Sequence, residues 1–238
     1  MSGRHGPPGR EDGRAPRFEP IPKAGGGMRW LTWLDPAGET AYRAAVRPLA
    51  GRIERVLGPE VLASRTRPSP GGWRLAPWRP ARAAWRRAIR AAVAEARRET
   101  AFAVADVRDC YGSITPETVE AVLGPEAARA ADFLRWLRDL GVRGLPVGPE
   151  PSAVLANAIL ARLDTALRTS QVRHVRWVDD LVLWGEPRGV RRALSTLRQR
   201  AATLGLDLHD GKTRLLADRS ETRAVTLGAR DSSIIAAP

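Results

Sequence analysis

Three observations predict an α+β fold for this chain of 238 residues. Apolar residues recur at helical spacing in several long segments, among them 40–57 and 80–99. The continuously apolar run AFAVADV, residues 101–107, is typical of a buried strand. Two β-forming apolar runs on either side of the adjacent acids Asp179 and Asp180 predict a β-hairpin over residues 174–185. Helices combined with a hairpin favour an antiparallel sheet backed by helices.

The remaining elements follow in order along the chain. Residues 1–17 are rich in Gly, Pro and charge, which predicts a disordered basic tail. The segment PKAGGGMRWLTWL, residues 22–34, predicts a glycine turn that enters a strand, and the Pro and Gly residues between 59 and 72 predict a loop. Beyond the apolar strand we expect helices at 116–140, 152–168 and 188–204, and then short strands to the end.

The net charge of +13 is unevenly distributed. Residues 1–100 carry 20 Lys and Arg against 9 Asp and Glu, whereas residues 101–238 carry 19 against 17. A basic first half beside an acid-bearing second half predicts a polyanion-binding surface next to a metal site. Within the 80–99 helix, Arg82, Arg86 and Arg90 line one face as a candidate phosphate-binding stripe. The alternative is a solvated polar helix face.

The composition also bounds the class of protein. No apolar run approaches 18 residues and no signal peptide opens the chain, so we expect a cytoplasmic protein with no membrane partner. The single cysteine, Cys110, excludes an internal disulfide and a Cys-rich zinc site.

Three carboxylates predict a metal site. Two like charges about 4 Å apart at an effective dielectric of about 20 repel by about 4 kcal/mol, so Asp179 and Asp180 favour a divalent ion as compensation. Asp106 ends the apolar strand, and Mg²⁺ prefers oxygen ligands of this kind. The three acids could share two ions only if strand and hairpin are neighbours in the sheet. A solvated Asp-Asp turn is the alternative.

An ordered series of short motifs between about residues 18 and 230 resembles the reverse transcriptases. VADVRDCYGSI (104–114) is similar to the first palm motif of that family, GLPVGPEPSAVLAN (144–157) to its LPxGxxxS motif, and RWVDDLVLWG (176–185) to its YxDD hairpin. The other similar segments are LGLDLHDGKTRLL (204–216, the lysine motif), AVTLG (224–228, the primer-grip hairpin) and PKAGGGMRWLTWL (the fingers motif). The GPEPS and VDD variants most resemble the compact bacterial defence-associated (abortive-infection and unknown-group) enzymes, which suggests a role in antiphage defence.

The resemblance implies a polymerase right-hand fold. Fingers would span residues 18–98, and a palm of antiparallel sheet backed by helices would span residues 99–238. The chain leaves room for only an absent or minimal thumb, so a protein partner or second subunit is expected to replace it.

The resemblance also implies roles for particular residues. Asp106, Asp179, Asp180 and the Val107 backbone carbonyl would bind two Mg²⁺ or Mn²⁺ ions, and Lys212 would act as a general acid on the pyrophosphate. The implied nucleotide contacts are Lys23, Arg29, Tyr111, Gly148 and Ser152. Trp177, which stands where most of the family has Tyr, would contact nucleic acid together with the arginine stripe.

The implied function is RNA-directed DNA polymerisation, in which deoxynucleoside triphosphates are added to a 3′-OH on an RNA template with a DNA or RNA primer. Tyr111 follows Asp106 by five residues, and its ring would exclude a 2′-OH. Two alternatives stay open. One is an untemplated polymerase or another palm-fold nucleotidyl transferase such as a cyclase, and the other is a non-catalytic RNA-binding subunit.

Overall fold

The computed structural model describes residues 15–22 and 27–227, and these form a mixed α+β structure with three antiparallel sheets. The strands are β1 (Arg17–Pro22), β2 (Met28–Trp33), β3 (Thr66–Ser69), β4 (Gly72–Leu75), β5 (Ala101–Asp106), β6 (Arg173–Trp177), β7 (Asp180–Gly185) and β8 (Arg214–Leu216). The helices are α1 (Pro36–Val56), α2 (Trp78–Glu95), α3 (Cys110–Ser113), α4 (Pro116–Leu123), α5 (Ala128–Asp139), α6 (Glu150–Arg168), α7 (Pro187–Thr203) and α8 (Arg219–Leu227). One 3₁₀ turn, Pro125–Ala127, joins α4 to α5.

A four-stranded sheet with the order β6-β7-β5-β8 separates two hydrophobic cores. Successive side chains of a strand point to opposite faces of a sheet. Ala103 and Ala105 therefore join the larger core, with residues of α1, α5, α6 and α7, whereas Phe102 joins the smaller core under α2. Asp106 lies an even number of residues from Phe102, so it projects from the α2 side of the sheet.

Local sequence signals explain where several helices begin. The Asp35 carboxylate accepts a hydrogen bond from the Gly38 amide at 2.8 Å at the start of α1, and Thr115 caps α4 through the Thr118 amide at 3.2 Å. The Glu186 carboxylate accepts from two amides in the first turn of α7. Each cap satisfies backbone donors that a helix leaves unpaired, and each is followed by a proline, whose fixed φ suits the first helical position.

The α+β class and most of the elements predicted from the sequence are confirmed. Helices α1, α2, α6 and α7 cover most of the four segments predicted as 40–57, 80–99, 152–168 and 188–204. The buried strand and the acidic hairpin are present as β5 and β6–β7. None of the described helices is both long and apolar enough to span a membrane.

Three predictions of secondary structure are wrong. The loop predicted over 59–72 contains most of the β3–β4 hairpin. The helix predicted over 116–140 is divided at Gly124, whose φ of +76° ends α4. Between residues 217 and 227 the chain forms α8 instead of strands, so residues 224–227 of the predicted AVTLG hairpin are helical, and Gly228 lies outside the described residues.

The predicted tail and one predicted site residue fall largely outside the described part of the chain. Residues 1–14 are outside it, and β1 begins at Arg17, the last residue of the predicted tail. Lys23, predicted as a triphosphate contact, also lies outside the described residues.

Candidate active site

Asp106 lies directly opposite Asp180 on neighbouring antiparallel strands. The Asp106 carbonyl accepts from the His209 amide at 2.8 Å, and the Asp106 amide donates to Thr213 Oγ1 at 3.3 Å. Both backbone groups of Asp106 are thus used on the β8 side, away from β7. Asp106 and Asp180 therefore form a pair without mutual hydrogen bonds, in which Cα atoms are about 4.5 Å apart and side chains on one face approach closely. The sheet register brings together the two acids that the sequence placed 74 positions apart.

Asp179 occupies the two-residue turn of the hairpin. Trp177 pairs with Asp180 across the end of the hairpin, which leaves Val178 and Asp179 as the central residues of the turn. Val178 has a φ of +55°, in the left-handed region that β-branched residues rarely adopt. The prediction of a hairpin with acids at its tip is confirmed, with Asp179 in the turn and Asp180 as the first residue of β7.

The two acids of the hairpin have a raised pKa. Burial, the Asp180 charge and the Asp106 charge raise the pKa of Asp179 to about 7, although Arg29 acts to lower it. Burial and the Asp106 charge also raise the pKa of Asp180, to about 6. Lys212, Arg82 and Arg29 act to lower the pKa of Asp180, whose side chain is exposed at the surface. Carboxyls crowded in this way favour a bound cation or proton.

Lys212 lies beside these acids. Its Nζ atom is 3.0 Å from Oδ2 of Asp106, and its side chain is 60% exposed. The segment from His209 to Thr213 positions Lys212. The His209 amide donates to the Asp106 carbonyl, the Asp106 amide donates to the Thr213 hydroxyl, and the Thr213 amide donates to the His209 carbonyl. Lys212 also lowers the pKa of Asp180. The structure thus brings Lys212, as predicted, next to the acids, and its side chain is exposed to solvent there.

The Val107 carbonyl, a predicted metal ligand, points toward the acidic turn. Val107 lies opposite Leu208 in an isolated antiparallel bridge. The two hydrogen bonds of this bridge are made by the neighbours of Val107: the Asp106 carbonyl accepts from the His209 amide, and the Arg108 amide donates to the Asp207 carbonyl. In such a pair the backbone groups of the central residue point away from the partner. The carbonyl of Val107 therefore faces the β7 side of β5.

Arg29 and Tyr111 are two further predicted residues that lie near the acids. Arg29, on β2, lowers the pKa of Asp179. Burial raises the pKa of Tyr111 far above its ordinary value, the Asp179 charge raises it further and Arg29 lowers it. The charges of Asp179 and Arg29 both act on the Tyr111 hydroxyl, so the three residues lie within electrostatic range of one another. The Tyr111 side chain is half-buried and also packs against the larger core.

Gly148 has a structural role at this border. The Val147 carbonyl accepts from the Thr32 amide of β2 at 2.7 Å, which joins the loop before α6 to the strand that carries Arg29. Gly148 has a φ of +125°, and a Cβ there would lie 3.2 Å from the Thr32 carbonyl oxygen. Glycine is therefore required for the close approach of loop and strand. Its predicted contact with a nucleotide stays a prediction.

Two predicted contact residues are buried away from any ligand. Ser152 has no exposed surface, and its hydroxyl shares a hydrogen bond of 3.1 Å with the Tyr42 hydroxyl. Trp177 is only 5% exposed and packs against Trp85 of α2. Both side chains therefore have packing roles in this conformation, and their predicted contacts with a nucleotide or a nucleic acid stay predictions.

The arginine stripe of α2 is not uniform. The Arg82 guanidinium lies 4.3 Å from the ring centroid of Trp85 and 5.0 Å from that of Trp177. Arg82 and Arg86 are half-buried, whereas Arg90 is exposed. Arg82 therefore covers the hairpin tryptophan as a cation–π contact, and only Arg90 of the three presents its charge freely to solvent.

The carboxylates suit a hard divalent cation, although they are not drawn into one tight cluster. Among the described residues, the only three potential ligands with atoms all within 4.8 Å of one another are Glu60, Asp164 and His174. That group is unsuited to a cation because the buried Arg176 guanidinium already bonds Asp164 at 2.8 Å. At the acidic turn the donors are all oxygens, and one or two carboxylates with substrate phosphates are the usual Mg²⁺ ligand set.

The sequence did not reveal the buried side chains behind the hairpin. Arg176 and Asp164 both have fully buried side chains, and Asn157 completes their hydrogen bonding. Burial raises the pKa of Asp164, but Arg176 and His174 outweigh it and hold that pKa below its ordinary value. His174 is also buried. A signal was available in Asn157 and Asp164, which are seven residues apart and lie among the apolar residues of the buried face of α6.

Comparison of the chain with protein-family models found no match, and comparison with curated proteins found none either.

Proposed function

We propose that this chain is a nucleotidyltransferase of the reverse-transcriptase type, an RNA-directed DNA polymerase that adds deoxynucleotides to a 3′-OH. One observation carries the proposal: Asp106 lies opposite Asp180 on neighbouring strands, with Asp179 in the adjacent turn. Lys212 and Arg29 supply positive charge at the same place. Paired carboxylates beside cations are what phosphoryl transfer through divalent ions requires.

Each residue near the acidic turn has its own role in the proposed nucleotide addition. Asp106, Asp179 and Asp180, with the Val107 carbonyl, would hold two Mg²⁺ or Mn²⁺ ions. Such ions, when bound, supply activation of the 3′-OH and neutralisation of the triphosphate charge. Arg29 orients the triphosphate from β2. Lys212 keeps a proton next to Asp106 and donates it to the departing pyrophosphate.

Tyr111 sets the choice of sugar in this proposal. It lies on α3, shortly after the strand that ends with Asp106, and the Asp179 charge acts on its hydroxyl. A ring in this position excludes a 2′-OH by steric conflict, and repulsion of an unwanted substrate is an efficient source of specificity.

The finer architecture belongs to the same proposal. We assign residues 18–98 to fingers and residues 99–238 to a palm, in a right-hand arrangement whose palm sheet is the β6-β7-β5-β8 sheet. The partners would be an RNA template, a DNA or RNA primer and deoxynucleoside triphosphates. Exposed arginines of α2, among them Arg87 and Arg90, are the best candidates for phosphate contacts.

One observation favours a second candidate, nucleotidyl transfer without a template. Trp177 lies next to the acids on the hairpin, and α2 buries it. A primer–template duplex that rested on this part of the sheet would have to displace α2, whereas a single nucleotide or a short primer would not.

The two candidates differ in their products. The test is incorporation of labelled deoxynucleotides by the purified chain, with Mg²⁺, on a primer annealed to RNA of defined sequence. Products complementary to the RNA support the polymerase, whereas products with a sequence independent of the RNA support untemplated transfer. The matched variants are Asp179→Asn and, as a control, Asp109→Asn, because Asp109 is an exposed acid that pairs with Arg143. RNA binding without incorporation would instead indicate a non-catalytic subunit.

A further inference from the structure

The turn that presents Asp179 is held in an unfavourable backbone conformation. Val178 is the only β-branched residue among the described residues that has a positive φ. A positive φ at the first central residue of a two-residue hairpin turn, and not at the second, is the pattern of a type II′ turn, which favours glycine at that position. Residues in such regions persist only where the surrounding structure holds them there.

A buried arginine holds this turn from behind the sheet. The Arg176 side chain has no exposed surface, and its Nη1 atom donates to the Val178 carbonyl oxygen at 2.7 Å. That carbonyl belongs to the central peptide of the turn, between Val178 and Asp179. The hydrogen bond therefore fixes the orientation of the central peptide, and with it the direction in which Asp179 leaves the turn.

Helix α6 in turn fixes the arginine. Arg176 donates to the Asp164 carboxylate through Nε at 3.0 Å and through Nη2 at 2.8 Å, and to Asn157 Oδ1 at 3.0 Å. The Asn157 amide donates to the carbonyls of Ala63 and Ser64 at 3.1 and 3.0 Å. Together with the bond to the turn, these hydrogen bonds leave the guanidinium a single position.

The backbone of Arg176 is tied down as well. Its amide donates to the Glu60 carbonyl at 2.9 Å, and its carbonyl accepts from the Leu62 amide at 3.1 Å. A fully buried ion pair is weak evidence for stability, because well-packed apolar residues can often replace it without loss. The Arg176–Asp164 ion pair has a different role, because Arg176 also contacts the turn and so sets the geometry of the acids.

We propose that Arg176, held by Asp164 and Asn157, is a positioning residue that keeps the Val178 turn in the conformation in which Asp179 joins Asp106 in binding a divalent cation. The inference rests on the proposed function only in taking these acids as metal ligands. It does not depend on the template, the primer or the sugar.

Glycine at position 178 provides the decisive test. Glycine adopts positive φ without strain, so Val178→Gly should make the turn independent of the arginine. The four proteins to compare are the wild type, Arg176→Met, Val178→Gly and the double variant. Arg168→Met is the control, because Arg168 lies on α6, the helix that carries Asp164, and pairs with Glu60 at 2.9 Å instead of with the turn.

The experiment measures the binding of Mn²⁺ to the full chain without nucleic acid. The electron paramagnetic resonance signal of free Mn²⁺ reports how much of the ion is unbound. Asp179→Asn identifies the part of the binding that belongs to the acids. We expect Arg176→Met to weaken that binding at least tenfold, and the double variant to recover to within about threefold of wild type. Val178→Gly alone and Arg168→Met should bind as wild type does. Thermal melts check that each variant is folded.

A merely structural role of the ion pair would produce a different pattern. Arg176→Met would then lower the melting temperature and leave Mn²⁺ affinity unchanged, or glycine would fail to restore the affinity, and either result overturns the inference. If Arg176→Met does not fold, Arg176→Lys replaces it, since lysine cannot reach Asp164, Asn157 and Val178 together. If Mn²⁺ binding changes across the variants as expected but the wild type incorporates no nucleotide, the polymerase proposal is refuted and the positioning role is supported. A wild type with no Asp179-dependent Mn²⁺ binding overturns the positioning role.

Discussion

The Nζ atom of Lys212 lies 3.0 Å from Oδ2 of Asp106, although the two residues are 106 positions apart in the chain. The contact depends on the antiparallel pairing of β5 with β8 and on the hydrogen bond from the His209 amide to the Asp106 carbonyl. Because Lys212 is mostly exposed, it can leave Asp106 when a cation binds there and can turn toward a phosphate.

Replacing Lys212 by Gln should reduce turnover while leaving metal binding intact. A positioned general acid contributes about 100-fold or more to rate, so kcat for nucleotide addition should fall by about that factor. Mn²⁺ affinity should be equal or higher, because a competing positive charge is removed. Steady-state kinetics and Mn²⁺ titration measure the two effects. Arg108→Gln is the control, since Arg108 is an exposed cation that pairs with Asp210. A kcat that stays within twofold of wild type would end the general-acid assignment.

Asp179→Asn should abolish nucleotide addition without destabilising the metal-free protein. Burial and the charges of Asp180 and Asp106 raise the pKa of Asp179, and replacing its carboxylate by a neutral amide relieves both the burial of charge and the repulsion. Thermal melts in EDTA should therefore show a melting temperature equal to or above that of wild type. A variant that still polymerises would contradict the ligand assignment, and a variant that melts well below wild type would contradict the repulsion.

The stability of the metal-free protein should fall as the pH rises from about 4 to about 7. Carboxyls with a raised pKa bind more protons in the folded chain than in the unfolded chain across this window, so the free energy of unfolding decreases there. Urea denaturation at several pH values should show a loss of about 2 kcal/mol, roughly half of what the Asp179 shift corresponds to, to allow for partial exposure of the acids.

The other shifted carboxyls do not obscure this window. The pKa values of Asp164, Glu117, Glu186 and Glu221 are lowered, so the stability that they contribute is lost only as the pH falls below about 4.5. Asp179→Asn should flatten the slope between pH 4 and 7, and saturating Mg²⁺ should remove it. A slope that Asp179→Asn leaves unchanged would assign the effect to other groups.

Nucleic-acid affinity should depend on salt through the exposed arginines of α2. Each arginine that neutralises a phosphate contributes about 0.9 to the log–log salt slope on duplex, so Arg87→Gln with Arg90→Gln should flatten the slope by about two units. Arg82→Gln should lower stability instead, because Arg82 lies over Trp85 and Trp177.

The matched control for this experiment lies on the opposite side of the sheet. Arg191 and Arg192 are exposed on α7, which packs into the larger core, and their replacement by Gln removes the same charge. An equal effect of both double variants would show that net charge alone determines binding. An unchanged slope after the α2 replacements would identify the stripe as a solvated helix face.

Local sequence patterns were sufficient where a contact depends on one element. The alternating β-forming residues around Asp179 predicted the hairpin, and the apolar run before Asp106 predicted the strand that carries it. The sequence did not predict that the strand and the hairpin are neighbours in the sheet; it showed only that a shared metal site would require this. The β5–β7 register depends on the packing of α6 and α7 behind both strands. The resemblance supplied Lys212 and Arg29, which no local pattern marks as partners of the acids.

The errors have identifiable physical causes. The AVTLG segment contains β-forming residues, but the preceding Asp218 caps a helix, since its carboxylate accepts from the Glu221 amide at 2.8 Å. That helix-start signal outweighs the β propensity of four residues. The burial of Ser152 and Trp177 was not predicted, because position in a motif does not report burial, which here results from contacts with the distant residues Tyr42 and Trp85.

Tyr111→Ala should raise the use of ribonucleotides relative to deoxynucleotides by at least tenfold, which corresponds to about 1.4 kcal/mol of discrimination. Tyr111 follows the strand that ends with Asp106, and the Asp179 charge acts on its hydroxyl, so the proposal assigns its ring to the sugar of a nucleotide bound through its triphosphate. Removing it opens space for a 2′-OH without supplying any new contact to the base. The measurement is the ratio of kcat/KM for a ribonucleotide and its deoxy counterpart on the same primer.

A loss of packing must be separated from a loss of selectivity in this variant, because Tyr111 also contacts the larger core and its backbone carbonyl accepts from the Leu145 amide at 2.8 Å. Tyr111→Phe is the matched control, since it keeps the ring and removes only the hydroxyl. We expect Tyr111→Phe to retain the deoxynucleotide preference of wild type, and Tyr111→Ala to lose the preference even after its activity is corrected for the folded fraction measured by thermal melts. Because steric exclusion depends on ring volume and not on the hydroxyl, equal loss of preference in both variants would indicate a hydrogen bond instead of a clash. A wild type that uses both sugars equally would remove the basis for assigning a DNA product.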